Sequence, residues 1–217
     1  MKPLGKVRIK WSSDFAYALG LLVTDGNLSK DGRHICFTSK DKDLIENLQK
    51  ALNVKCNIGM KGSGSKMIKK YYFLQIGDVL FYRFLMSLGL MPNKTKIIER
   101  VDIPKKYFFD FLRGHLDGDG SFYSYWDPRW KSSFMFYTSF SSASSIHISW
   151  IRLCINQFLG IKGHISKSRN QSCYQLKYAK KESVQLLKKI YYSSKVTCLK
   201  RKYLKIKRVF DRIGINL

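Results

Sequence analysis

The sequence predicts an α+β fold made of two copies of one α-β-β-α-β-β-α unit. Residues 15–28 read FAYALGLLVTDGNL and residues 109–122 read FDFLRGHLDGDGSF, so an apolar segment with a central glycine ends twice in Asp-Gly. After each copy, apolar and polar residues alternate as in half-buried strands, and helical periodicity follows. The 217 residues are enough for two such units around a shared core.

The elements of the first unit follow from local patterns. The apolar segment is a helix that ends at Asp25-Gly26, with the glycine as a left-handed C-cap, and a short strand comes next. The rest of the unit is then predicted as the strand HICFTS, a helix at 41–52, a hairpin of CNIGM and KYYFLQI, and an amphipathic helix at 78–88.

The second unit repeats this order after Asp119-Gly120, and its glycine is again expected to be a left-handed C-cap. Its further elements are the strand SFMFYTSFSS, a helix at 145–159, a hairpin of HISKS and CYQLKYA, a helix at 181–192 and a basic helix at 200–212. Residues 91–106 resemble a connector, so we divide the chain into units 1–105 and 106–217.

Composition excludes several classes of protein. Forty Lys and Arg against fifteen Asp and Glu give a formal charge of +25, which indicates a polyanionic partner. With 45% hydrophobic residues, this charge does not belong to a disordered tail. The five scattered cysteines form no CxxC pair, which argues against a disulfide framework or a zinc site. No apolar run is long enough for a membrane span or a signal peptide, so we expect an intracellular protein.

Strand alternation predicts one apolar face per sheet, packed on helices, and one open face rich in hydroxyls, amides, aromatics and cations. A twisted antiparallel sheet with such a face suits base edges in the major groove of DNA, although a solvated face is the commoner explanation for any single strand. The predicted DNA contacts are His34, Lys40, Tyr71, Gln75, Tyr137, Ser139, Lys167, Arg169, Gln175 and Lys177.

Two carboxylates stand where the helix dipole disfavours them. Asp25 and Asp119 lie at the C-terminal ends of the two motif helices, in a chain that is poor in acids. Small residues with i, i+4 spacing line each helix: Ala16, Gly20 and Thr24, and Gly114 and Gly118. If these stripes pack together, the two acids meet, and a divalent cation with oxygen ligands, Mg²⁺ or Mn²⁺, would relieve their repulsion.

The segments ALGLLVTDG (18–26) and LRGHLDGDG (112–120) resemble the two motifs of the LAGLIDADG homing endonucleases. The resemblance implies a monomer with a pseudo-twofold axis and two saddle-shaped sheets in the major groove of double-stranded DNA. It also implies Mg²⁺-dependent hydrolysis of both strands, which leaves 3′ overhangs, with Mn²⁺ able to substitute. The metal ligands of the family fall on Asp25 and Asp119, with backbone carbonyls that we do not assign.

The resemblance suggests further catalytic residues. The polar strand-end residue of the family falls on Ser39 and Ser142, although the family often has glutamine there. Its assisting lysine falls on Lys94 and Lys202, for which a solvated surface cation is the alternative.

The earlier acid of the motif is Asp117 in the second copy but Val23 in the first. We interpret Asp117 as a hydrogen-bonding group at the helix end, and His115 as a packed ring. A second function stays open, a non-cleaving binder of the same fold that is either an RNA maturase or a degenerate DNA-binding protein.

Overall fold

The computed structural model describes residues 5–63, 69–167 and 172–217. The helices are α1 (Ser13–Thr24), α2 (Lys42–Leu52), α3 (Val79–Ser87), α4 (Phe108–Gly118), α5 (Ser145–Leu159), α6 (Lys180–Ile190) and α7 (Lys200–Arg212). The strands are β1 (Gly26–Leu28), β2 (His34–Ser39), β3 (Gly59–Ser63), β4 (Lys69–Gly77), β5 (Ser121–Trp126), β6 (Phe134–Ser142), β7 (His164–Lys167) and β8 (Tyr174–Tyr178). Short 3-10 helices at Lys94–Lys96 and Lys105–Tyr107 lie in the connector.

The strands form two antiparallel sheets with the same topology. The order is β1-β2-β4-β3 in the first sheet and β5-β6-β8-β7 in the second. Burial alternates as the sequence predicts, because Ile35 and Phe37 in β2 and Phe134 and Phe136 in β6 are buried while their strand neighbours are partly exposed. The buried faces pack on the helices, and α1 packs against α4 at the centre of the molecule.

Polar caps fix where several helices begin. The N–H of Phe15 donates to Ser12 Oγ at α1 (3.1 Å), and the N–H of His147 donates to Ser144 Oγ at α5 (3.2 Å). Such caps satisfy N–H groups that have no partner inside the helix.

The predicted α+β architecture is confirmed, and the helix bounds differ from the prediction by two residues at most. The hairpin strand predicted at 56–60 lies instead at 59–63. The predicted left-handed caps at Gly26 and Gly120 are wrong, because neither glycine has a positive φ. A side chain at either position would clash with the helix residue four positions earlier, Leu22 or Leu116, so glycine is required there for close approach.

In the part of the chain that the structure describes, the helices lack the length and apolar character needed to cross a membrane.

Candidate functional site

The two motif helices touch backbone to backbone at their glycines. A Cβ at Gly20 would clash with the carbonyl oxygen of Phe111, and a Cβ at Gly114 would clash with that of Tyr17. Close packing of α1 on α4 therefore explains why an apolar helix carries a glycine that costs it about 1 kcal/mol of helix propensity.

This packing brings the ends of the two helices together. A Cβ at Gly118 would lie 2.9 Å from Asp25 Oδ2, so the Asp25 carboxylate lies beside the residue that precedes Asp119. Asp25 is half-buried and Asp119 is exposed. Burial and then the charge of Asp119 raise the pKa of Asp25 to about 6. Partial desolvation also raises the pKa of Asp119, against the opposing effect of Lys94 and Lys202. Two mutually repelling carboxylates thus lie where the C-terminal ends of α1 and α4 meet, a place that we call the seam.

The two predicted lysines contact the ends of the motif helices, in matching positions. Lys94 Nζ donates to the carbonyl oxygen of Gly26, and Lys202 Nζ donates to that of Gly120 (2.7 Å). Lys202 also donates to three carbonyls in the last turn of α4, those of Leu116, Asp117 and Gly118, at 2.7, 2.8 and 3.3 Å. Neither lysine is the solvated surface cation that the sequence left open, because Lys94 is buried and Lys202 is half-buried.

Burial lowers the pKa of both ammonium groups. That of Lys94 falls to about 8, while the nearby Asp119 and Asp25 raise it. The pKa of Lys202 is also lowered by burial. Both cations lie where the helix carbonyls make the potential negative, and they offset the repulsion between the two acids.

A small cavity of about 40 Å³ adjoins Asp119. Lys94, Ser142, His115 and His147 line it with Asp119. Ser142 is thus near the seam, and its Oγ accepts the N–H of Ser144 (3.1 Å).

Ser39 occupies the matching strand end in the first unit, and its Oγ accepts the N–H of Asp41 (3.1 Å). Both strand-end serines therefore shape the turn into the next helix.

His115 is a packed ring, as interpreted from the sequence. It is buried and stacks on His147, with ring centroids 5.4 Å apart. His147 Nδ1 lies 2.6 Å from the carbonyl oxygen of Glu99, so it must carry a proton. Its Nε2 then accepts from His115 Nε2 at 3.3 Å. Burial lowers the pKa of both rings, which favours the neutral forms that this arrangement uses.

Asp117 is a buried hydrogen-bonding group at the end of α4. Its Oδ2 accepts the Tyr17 hydroxyl (2.9 Å) and the N–H of Leu199 (2.6 Å). Because Leu199 caps α7, Asp117 fixes the start of the helix that supplies Lys202. Burial raises the pKa of Asp117 to about 6.

The open face of the first sheet carries most of its predicted contacts. Gln75 is exposed and pairs with Cys36, and Lys40 Nζ lies 5.6 Å from the centre of the Tyr71 ring. His34 Nδ1 is bonded to Asp31, which leaves Nε2 as the ring nitrogen available to a partner.

The second sheet confirms some open-face predictions and corrects others. Tyr137, Gln175 and Lys177 are partly exposed on strand positions that alternate with buried Phe136 and Leu176.

Ser139 is not an accessible contact. It is 2% exposed, and its Oγ lies 2.7 Å from Ser121 Oγ across the strand pair.

Lys167 does not share the face of Gln175, because the antiparallel register pairs it with Tyr174. Its Nζ lies 4.7 Å from the centre of that ring, on the side of the strand that carries Leu176. The register instead places Ser166 opposite Gln175. Arg169 lies outside the described residues.

Sequence reasoning missed two further aromatic residues on this face, Tyr123 and Tyr125 in β5. Tyr123 pairs directly with Tyr137, and Tyr125 pairs with Met135. The alternation YSYW after Asp119-Gly120 contained this signal, since it places both tyrosines opposite to Phe122.

The residues at the seam suit Mg²⁺. In the ranges that the structure describes, there is no cluster of three or more histidine, cysteine or acidic side chains that could hold a metal ion. Mg²⁺ needs no such cluster, because it binds through one or two carboxylates and completes its shell with water and phosphate oxygens. Burial, and then the charge of Asp119, raises the pKa of Asp25, so a divalent cation bound between the two carboxylates would favour their ionised forms.

Comparisons with known proteins agree with this architecture. A family model described as a LAGLIDADG-like domain matches residues 12–89. The homing endonuclease I-WcaI bound to its DNA recognition sequence is 12% identical, with a TM-score of 0.64 over 92% of this chain and 88% of that chain. I-DmoI in complex with DNA and Mn is 18% identical, with a TM-score of 0.53 over 83% and 97%.

The N-terminal LAGLIDADG domain of DUF199/WhiA is 18% identical, with a TM-score of 0.55 over 92% of this chain and 88% of that domain. A search of curated proteins found none that matches. At these identities the structural matches establish the fold, and the family model matches a segment that includes the first motif. The resemblance found in the sequence is therefore confirmed at the level of the fold: the chain has the two-unit LAGLIDADG fold, and its residues 12–89 match a LAGLIDADG-like domain.

Proposed function

We propose that this protein is a site-specific endonuclease that cuts both strands of a long double-stranded DNA target with Mg²⁺ and leaves 3′ overhangs. The observation that carries the proposal is the meeting of Asp25 and Asp119 at the ends of two tightly packed helices. Asp25 directly precedes β1 and Asp119 lies two residues before β5, and both sheets have an open polar face, so one duplex across both sheets would place one phosphodiester of each strand near the acids. The matched structures I-WcaI and I-DmoI are described as bound to DNA, which supports this partner.

The chain's own residues divide the work. Asp25 and Asp119 would hold the metal, with Mn²⁺ able to replace Mg²⁺. When bound, the ion supplies charge stabilisation at the phosphate and lowers the pKa of a water molecule. A single chain would bind the duplex through both open faces. The proposed contacts are His34, Lys40, Tyr71, Gln75, Tyr137, Gln175 and Lys177.

The two lysines differ in how many donors they have left. Lys202 Nζ has three protons and four carbonyl partners, so it holds the end of α4 rather than a phosphate. Lys94 Nζ donates to one carbonyl, that of Gly26, within the described part of the chain. We therefore propose Lys94 as the lysine that stabilises charge on the phosphate, and Lys202 as a positioning residue.

The acids provide the decisive test. A binding site would be selected from a random duplex pool in Ca²⁺, and cleavage of that site would be measured in Mg²⁺ and in EDTA. We expect cleavage with Mg²⁺ alone, and we expect Asp25→Asn and Asp119→Asn to lose double-strand cleavage while their Kd stays within about threefold of wild type. Asp43→Asn, on the surface of α2, is the matched control and should cut normally. Full cleavage by either motif variant would refute the assignment of these ligands.

A non-cleaving binder of the same fold is the second candidate function, either an RNA maturase or a degenerate DNA-binding protein. Two observations favour it: the Lys202 donors are occupied, and Val23 replaces the earlier acid in the first motif. The same assay separates the two functions. Tight binding to the selected site without cuts in Mg²⁺ or Mn²⁺ would support the binder.

A further inference from the structure

Three tyrosines form an aromatic patch on the open face of the second sheet. The rings of Tyr123, Tyr125 and Tyr137 lie within 8–18° of parallel, and their centres are 5.3–6.5 Å apart. We call these three residues the tyrosine patch.

The patch faces away from the protein core. Its strand neighbours Phe122 and Phe136 are buried, whereas Tyr125 is 41% exposed. Aromatic rings that lie outside the core and stack on one another at the surface of a strongly basic protein can make an apolar contact with a partner.

In the described part of the first sheet, the aromatic residues of the open face are Tyr71 and Phe73, which do not stack on one another and instead contact the ammonium groups of Lys40 and Lys61. There β1 ends at Leu28, three residues after Asp25, and the outward strand pair is Asn27 with Cys36, next to Gln75. The two open faces, related by the internal repeat, therefore differ in chemistry.

The major groove presents one apolar group to a protein, the C5-methyl of thymine, which 5-methylcytosine also carries. We propose that the tyrosine patch reads C5-methyl pyrimidines in the half of the target that lies under the second sheet. This inference rests on the proposed DNA partner, but it does not depend on cleavage.

The position of the patch fixes which base pairs it reads. Tyr123 and Tyr125 follow Asp119 by four and six residues along a strand that rises about 3.4 Å per residue. One base pair also spans about 3.4 Å. The methyl groups should therefore lie about four to six base pairs from the centre of the footprint, in one half only.

The test uses a binding site selected from a random duplex pool, in which each thymine is replaced singly by deoxyuridine. Deoxyuridine keeps every hydrogen-bonding group and removes only the methyl. We expect Kd to rise about fourfold for each methyl that the patch contacts, as for one buried CH₂ group. Where the selected base is cytosine, 5-methylcytosine should tighten binding by a similar factor.

Two variants connect the effect to the patch. Tyr125→Phe keeps the ring and should keep the thymine-to-deoxyuridine ratio of Kd values. Tyr125→Ser should bring that ratio to one at the affected positions and leave it unchanged elsewhere. Because the readout is a ratio within one protein, a loss of overall affinity does not mimic the result.

The remaining outcomes are distinct. If no replacement of thymine by deoxyuridine changes Kd in either half of the selected site, the inference is overturned and the endonuclease proposal stays intact. An effect that survives Tyr125→Ser would also overturn it. A weakening by Tyr125→Phe without any effect of deoxyuridine would show a hydroxyl contact with the DNA backbone instead. If selection yields no preferred site, site-specific DNA recognition itself fails.

Discussion

Gly114 shows how little space separates the two motif helices. A methyl group there would meet the carbonyl oxygen of Tyr17 and lie 3.0 Å from the N–H nitrogen of Leu21, and backbone cannot move aside as a side chain can. We expect Gly114→Ala to lower the free energy of unfolding by about 1–3 kcal/mol, although alanine favours helices. Urea denaturation would measure the change.

Gly160→Ala is the control for this prediction. Gly160 has a φ of +68° and open space around it, so its variant should lose only the left-handed backbone preference, about 1–2 kcal/mol. A Gly114→Ala protein more stable than wild type would contradict the close packing of α1 on α4.

His147 makes stability depend on pH with a definite sign. Burial lowers its pKa to about 4, below the ordinary value of 6.5, so the unfolded chain takes up this proton more readily. The contribution of the neutral ring is complete above pH 6.5 and is lost as the pH falls towards 4. The raised pKa values of Asp25 and Asp117 act in the opposite direction, because those acids stabilise the fold as they become protonated.

A comparison with His147→Gln isolates the histidine. The free energy of unfolding of wild type minus that of the variant should fall by about 3 kcal/mol between pH 7 and pH 4, since one pKa unit corresponds to about 1.4 kcal/mol. Both aspartates are present in both proteins and cancel from the difference. A difference that is constant with pH would mean that the pKa of His147 is the same in the folded and the unfolded protein, which would contradict the prediction.

At the scale of elements, Arg113 joins α4 to three other parts of the chain. It is fully buried, its guanidinium pairs with Asp110 (2.9 Å), and it donates to the carbonyls of Ile190 and Thr197 (3.0 and 2.9 Å). Ser13 Oγ in α1 bonds to the same Asp110 oxygen (2.6 Å). The pair therefore connects α4 to α1, to the end of α6 and to the segment between α6 and α7.

Removal of one partner leaves a buried charge without compensation. We expect Arg113→Met to lower the free energy of unfolding by about 3–5 kcal/mol, and Arg113→Met combined with Asp110→Leu to recover part of that loss. A double-mutant cycle by chemical denaturation measures the coupling, and additive losses would mean that the pair contributes no coupling. Arg129→Met is a matched control, because its ion pair with Asp127 is exposed and should change stability little.

The sequence predicted these elements well where one periodicity governs a whole segment. The helices at 145–159 and 200–212 have their predicted bounds, because Ser144 caps the first and apolar residues at helical spacing define the second. Prediction from the sequence failed where the exposure or conformation of a residue depends on a neighbouring strand or helix. The face of Lys167 follows from its pairing with Tyr174, and Ser139 is buried by its contact with Ser121. The need for glycine at Gly26 comes from the preceding helix turn, not from its own φ.

The candidate site divides in the same way. Asp25 and Asp119 could be found because an acid at a helix end contradicts a local rule twice. The difference between Lys94 and Lys202 could not be found in the sequence, because it depends on which carbonyls each Nζ contacts in the folded protein. The tyrosine patch could not be predicted from one strand alone, because it depends on the register in which β5 pairs with β6.

At the scale of the whole molecule, the charge of +25 predicts how binding responds to salt. Two open sheets across one duplex would neutralise many phosphates, and each neutralised phosphate contributes about −0.9 to the slope of log affinity against log salt concentration. Six or more phosphate contacts would give a slope of about −5 or steeper. Fluorescence anisotropy measures that slope, with a labelled duplex that contains the selected site and salt concentrations from about 50 to about 300 mM.

Single charge removals show which surface faces the DNA. Lys177 lies on the open face of the second sheet, whereas Lys188 is exposed on α6, which packs against the opposite face. We expect Lys177→Gln to make the slope shallower by about 1 and Lys188→Gln to leave it unchanged. Equal effects of the two variants would mean that the whole surface attracts DNA without a defined face. A wild-type slope of one or two contacts would exclude a duplex lying across both sheets, because so long a footprint must meet more phosphates than that.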